Sequence, residues 1–157
     1  MKTILTPVDF SGVTQRVVEV AAELATALDG CIVLLHLVRA SQVVTDSYLD
    51  AATFEEQTAA MEAAADRRLS EFKTALEKRS IAVQQLRLTG YPWEDIVEQA
   101  RNCSADYIVI GSHGHTAFYD LVLGSTTSAV IKRATCPVIV VPSPKKTKRC
   151  ICRGRDP

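Results

Sequence analysis

The chain has 157 residues, 47% of them hydrophobic and 23% charged, with no net formal charge, which fits one globular domain able to bury a core without a disulfide framework or structural metal. So high an apolar content argues against disorder, and no apolar run approaches the roughly 20 residues that a bilayer crossing needs, so membrane insertion is not expected. The charge is unevenly placed: residues 1–144 hold 12 Lys and Arg against 17 Asp and Glu, while residues 145–157 hold 6 against 1, so an acidic domain carries a basic tail.

In "MKTILTPVDF" the apolar segment is cut by Thr6 and Pro7 and closed by Asp9, too short for the core of an export signal. The expected location is therefore the cytoplasm, with Cys31, Cys103 and Cys136 as reduced core thiols. The segment "KTILTPV" reads as a first strand. A helix follows from Thr14, with Val17, Val18, Ala21, Ala22, Leu24, Ala25 and Leu28 at helical spacing and Gly30 expected as its left-handed cap. "CIVLLHLV" is apolar almost throughout, as in a parallel strand covered on both faces.

Residues 39–50 lack a period and read as a mobile crossover. In the helix after them, Met61, Ala65, Leu69, Phe72 and Leu76 form the expected apolar stripe. "IAVQQLRL" gives a third strand ended by Gly90. The next helix opens on Pro92 with Glu94 and Asp95 in its first turn and Ile96, Val97 and Ala100 inward. "DYIVI" is the fourth strand, a helix from about Ser125 to Ala134 follows, and "PVIVV" is the last strand. The alternation implies an α/β fold, a five-stranded parallel open sheet with helices on both faces, Rossmann-like, with its ligand beyond the carboxyl ends of the strands. Residues 143–157 have no periodic pattern and read as a disordered tail. Its Cys150 and Cys152 lack the further ligands that zinc would need, and its charge comes without the aromatic residues that would support nucleic-acid binding.

Between the fourth strand and the helix at Ser125 lies "GSHGHTAFYDLVLGST", holding Gly111, Gly114 and Gly124, three of the chain's seven glycines. It matches neither G-x-G-x-x-G nor the lysine-bearing phosphate loop. Gly111 and Gly114 permit backbone conformations in which amides converge on an anion. Gly124, Ser125 and Thr126 open a helix, whose free amides and positive end suit a phosphate. The alternative is a plain connection in which Ser125 or Thr126 caps the helix. Asp9 reads either as a ligand contact or as a turn residue, and His36 as a hydrogen-bonded core histidine.

The spacing G-x2-G-x9-G-S, with "ILTPVDFS", "LLHLV", "GYPWEDIVEQA" and "DYIVIGSHGHTAFYDLVLGSTTSAVIKRATCPVIVV", resembles the ATP-binding branch of the universal stress protein family over residues 1–142. The resemblance implies an adenine nucleotide alpha hydrolase-like fold. It also implies that Asp9 contacts the ribose, Pro7 and Val8 line the base pocket, and Leu37 offers backbone contacts to adenine. Gly111 would lie against the ribose, Gly114 against the phosphates, and Gly124, Ser125 and Thr126 would hold the phosphate chain. Phe10 stands where a glycine is common, either crowding the pocket mouth or packing on the first helix. His115, at an often basic position, either meets a phosphate when protonated or is a solvated loop residue. Dimerisation through the last strand, Val138, Ile139, Val140 and Val141, is implied as well.

The function expected is that of a cytoplasmic, homodimeric, nucleotide-dependent stress-response switch, binding ATP, or ADP or AMP, with magnesium, and acting on a protein partner that the sequence does not name. No catalytic or metal-ligating set is evident. A weak ATPase or phosphotransferase and a nucleotide-free interaction dimer are the alternatives.

Overall fold

A computed structural model of the chain describes residues 1–39, 51–112 and 123–143, with backbone alone at 39 and 51–58. Five strands and four helices alternate: β1 (Thr3–Val8), α1 (Thr14–Leu28), β2 (Cys31–Arg39), α2 (Ala51–Glu77), β3 (Ala82–Gly90), α3 (Pro92–Asn102), β4 (Tyr107–Gly111), α4 (Ser125–Arg133) and β5 (Val138–Val141). All neighbouring strands run parallel, in the order β3-β2-β1-β4-β5. The crossover expected at 39–50 lies outside the described residues except for Arg39, which extends β2.

The apolar strand runs explain the centre of the sheet. Ile4, Leu5, Ile32, Leu34, Leu35, Ile108 and Val109 are fully buried, as strands covered on both faces require. Two cores result. One gathers Ile4, Val8 and Leu34 under Val17, Ala21 and Ala25 of α1 and Leu69 and Leu76 of α2. The other gathers Leu5, Val33, Leu35 and Ile108 under Ile96, Val97 and Ala100 of α3 and Val130 of α4. Two helices thus cover each face, as right-handed crossovers from this strand order demand.

Two local expectations are corrected. The left-handed residue ending α1 is Asp29, at φ 48°, while no described glycine has positive φ. Gly30 is required for space instead: an added Cβ would stand 2.6 Å from the Lys2 carbonyl oxygen, where Cys31 N donates to that oxygen at 2.7 Å. Ser80 and Ser104 likewise follow α2 and α3 with φ 60° and 48°. On α2, Ala65, Leu69 and Leu76 are buried and Phe72 is partly so, but Met61 is 71% exposed. The apolar stripe therefore begins at Ala65, while Glu62 and Asp66 reach across to Arg87 of β3 at 3.1 and 2.8 Å.

Cys31, Cys103 and Cys136 are unbridged and half-buried. Burial pushes the Cys103 and Cys136 thiols above their ordinary values, which keeps them protonated at neutral pH. Among the described residues no helix is long and apolar enough to cross a membrane.

Candidate functional site

The switch point of this sheet lies between β1 and β4, because the chain moves outward from β1 through β2 to β3 and then crosses back to β4. The two strands pair at Ile4–Tyr107 and Leu5–Ile108, and beyond those pairs the ladder ends. Their carboxyl ends, Val8–Asp9 and Gly111–Ser112, thus flank a gap in the hydrogen-bonded sheet. Pro7 and Leu37 are half-buried on either side of Val8 and His36, which are register partners. Val8 places its own side chain in the core at 6% exposure.

Asp9 organises the turn into α1. Its Oδ1 accepts hydrogen bonds from Ser11 N at 3.0 Å, Ser11 Oγ at 2.6 Å and Thr14 Oγ1 at 3.2 Å. The turn role considered for this aspartate is therefore present in the structure. Phe10, next to it, has φ 60°, a left-handed conformation that glycine, the residue the resemblance implies here, adopts without strain. The ring packs against the α1/α2-face core and lies 4.4 Å from the His36 ring, with the Arg68 guanidinium 4.8 Å from its centroid. His36 Nδ1–H donates to Val8 O at 2.8 Å, since a carbonyl can only accept.

On the other side of the gap, Gly111 ends β4 opposite Val141. Its neighbour Ser112 joins three segments: its N donates to Val141 O at 2.8 Å, its O accepts from Gly124 N at 2.9 Å, and its Oγ accepts from Ser143 N at 3.2 Å. Thr127 Oγ1 donates to Gly111 O at 2.8 Å and is buried, so α4 is fastened to the end of β4. Gly124 is the N-cap of α4, at φ −57° and ψ 148°, and makes no side-chain cap. Ser125 and Thr126 hydroxyls therefore do not cap this helix.

The first helical bond of α4 runs from Ser128 N to Gly124 O at 2.9 Å, so the amides of Ser125, Thr126 and Thr127 precede the intrahelical ladder. The first turn has no acidic residue, and the last has Lys132 and Arg133. No acidic residue of the first turn offsets the positive end of this helix, an arrangement suited to an anion. Ser125 is exposed, while Gly111, Gly124 and Thr126 are half-buried.

Gly111 does not use the conformational freedom that glycine permits: its φ is not positive, because the residue continues β4. Gly114, His113, His115 and Asp120 lie outside the described residues. Ser112 and Thr127 were not singled out by the sequence; for Thr127 the run of hydroxyls in "GSTTS" was the available signal. Among the described residues, no group of three His, Cys, Asp or Glu gathers for a metal. A groove of about 520 Å³ between α3 and α4, lined by Trp93, Glu94, Val97, Glu98, Arg101 and Arg133, includes none of the residues at the gap.

Comparison with known proteins accords with this architecture. Universal stress protein MJ0531 of Methanocaldococcus jannaschii is 31% identical over 145 residues, covering 92% of this chain and 84% of that protein. The solved structure of MJ0577 from the same organism superposes with a TM-score of 0.78 at 30% identity, covering 90% of this chain and 95% of that one. A universal stress protein from Archaeoglobus fulgidus in complex with dAMP shares the fold, with a TM-score of 0.62 at 24% identity over 89% of this chain and 97% of that one. The model of the universal stress protein family matches residues 1–142, and the chain belongs to that family.

Proposed function

We propose that this chain binds an adenine nucleotide, ATP foremost and ADP or AMP as alternatives, across the gap between β1 and β4, and that occupancy acts as a signal rather than as a step of turnover. One observation carries the reading: the Ser112–Gly124 and Thr127–Gly111 bonds hold the start of α4, whose first turn has no acidic residue, at the carboxyl end of β4. Those amides and the Ser125 and Thr126 hydroxyls suit a phosphate chain, while Pro7, Asp9 and Leu37 stand on the nucleoside side. The relative complexed with dAMP supports an adenine nucleotide in this fold. Gly114 and His115, which the resemblance assigns to the phosphates, belong to the same proposal. Magnesium would enter on the phosphates, as it commonly does.

The switch needs two states that ATP binds unequally. A homodimer formed through β5, Val138–Val141, supplies a surface on which they can differ, because β5 is an edge of the sheet. Location in the cytoplasm and action on a protein partner complete the proposal.

The test is nucleotide release from the freshly purified chain, identified by chromatography, followed by calorimetric titration with ATP and magnesium. Bound adenine nucleotide, or micromolar affinity reduced at least tenfold by Gly124→Val, is the expected result. The φ and ψ of Gly124 are open to valine, so that variant should keep its fold. Absence of bound nucleotide and of binding heat would overturn the reading and favour a nucleotide-free interaction dimer.

A further inference from the structure

Four non-glycine residues among those described have positive φ. Asp29, Ser80 and Ser104 sit just past the ends of α1, α2 and α3, where a left-handed residue terminates a helix. Phe10 does not. It is a bulky residue in a conformation that such side chains rarely adopt, placed immediately after Asp9 at the mouth of the gap. Strain of this kind persists where the surroundings over-determine it, and here the surroundings are identifiable.

His36 holds the chain on both sides of Asp9. Through Nδ1–H it bonds the carbonyl of Val8, the preceding residue, at 2.8 Å. Its ring lies 4.4 Å from that of Phe10, the following residue, with 34° between the planes. Arg68 of α2 approaches the same phenyl ring at 4.8 Å, within the range of a cation–π contact. The Asp9 backbone is thus pinned before and after, and its Oδ1 is set by Ser11 and Thr14.

We infer that Phe10 and His36 are positioning residues, which fix the Asp9 carboxylate where it meets the nucleoside. The inference rests on the proposed nucleotide site and adds to it two residues that act through a third. Its distinguishing consequence is non-additivity, since residues that work through one group lose their effect once that group is gone.

The experiment measures adenosine affinity of the full chain by calorimetry in Asp9→Ala, Phe10→Gly, His36→Gln and the doubles Asp9→Ala/Phe10→Gly and Asp9→Ala/His36→Gln. Thermal melts are run alongside. Asp9→Ala is expected to weaken adenosine about tenfold, and Phe10→Gly and His36→Gln about fivefold each. Each double variant should be no weaker than Asp9→Ala alone. Phe10→Gly is expected to lose affinity without a matching fall in melting temperature, because the glycine relieves the left-handed backbone. Phe10→Leu serves if Phe10→Gly does not fold. If Asp9→Ala leaves adenosine binding unchanged, the proposed nucleoside contact itself fails and the inference with it. If Asp9→Ala weakens binding but the other single changes do not, or their losses add fully in the doubles, the positioning role is overturned and the nucleotide site stands.

Discussion

At Gly30 the constraint is the backbone of another strand. A methyl group there would meet the Lys2 carbonyl oxygen at 2.6 Å, and neither partner can yield without disturbing the Cys31–Lys2 hydrogen bond that starts the β1–β2 ladder. Gly30→Ala should therefore cost about 1–3 kcal/mol, the usual range for overpacking, as read from the urea midpoint. A second single-residue effect depends on pH. Lys2 Nζ lies 2.7 Å from Asp106 Oδ1, and Thr3 N donates to Oδ2 at 2.8 Å, and these bonds hold the Asp106 carboxyl below its ordinary value. A lowered carboxylate stabilises the fold at pH above its unfolded value and loses that contribution as pH falls through its folded one. Asp106→Asn should accordingly melt earlier than the parent at pH 7, with the difference shrinking toward zero in acid; a constant difference down to pH 2 would contradict this assignment.

The residues the sequence marked for the site divide by the kind of signal they gave. Gly124 and Ser125 could be found because glycine and hydroxyl residues punctuate a helix start, and the resemblance carried Asp9. Ser112 and Thr127 could not, because their partners, Val141, Ser143 and Gly111, come together only when β4, β5 and α4 assemble. For Phe10 the residue type argues against a left-handed backbone, and the glycine that the resemblance implies at this position was the one sign of it.

Among the elements, α2 separates periodicity from burial. Met61 falls on the same helical spacing as Ala65 and Leu69, yet it is 71% exposed while Leu69 is 1% exposed. Periodicity identifies a face, and only the neighbouring sheet decides how far along the helix that face is covered. Leu69→Ala should cost about 2–5 kcal/mol, as for other buried leucines, and Met61→Ala should stay within about 0.5 kcal/mol, both measured by chemical unfolding. The helix ends teach a related point. Asp29, Ser80 and Ser104 take the left-handed positions that a sequence reading reserves for glycine, because short polar residues tolerate that region and the closing bonds, such as Gly30 N to Ala25 O at 2.8 Å, are made by backbone.

For the whole molecule, the fold was legible because β2, β4 and β5 are apolar runs bounded by Gly, Pro or Asp, β3 ends on Gly90, and the helices carry their own period. The order β3-β2-β1-β4-β5 leaves β5 at one edge, and its bonding pattern shows what that edge offers. Ile108 N donates to Pro137 O and Ser112 N to Val141 O; amide and carbonyl of one residue point the same way along a strand, so residues 137, 139 and 141 face β4 and the backbones of Val138 and Val140 face outward. Val140→Pro would remove an outward donor while sparing the ladder within the sheet. On the proposed dimer through β5, sedimentation should then find a monomer for this variant and a dimer for the parent, with the helical circular dichroism retained; a dimer for both would place the interface elsewhere.

The bond from Gly124 N to Ser112 O closes the ends of segment 113–123 upon each other at 2.9 Å. With the ends held together by the scaffold, the chain entropy of closing such a segment rises by only about 0.6 kcal/mol when its length doubles. A change in its length therefore costs the sheet beneath little in closure entropy. Descendants of one such chain can lengthen or shorten this stretch while the two bonded ends stay where β4 and α4 put them.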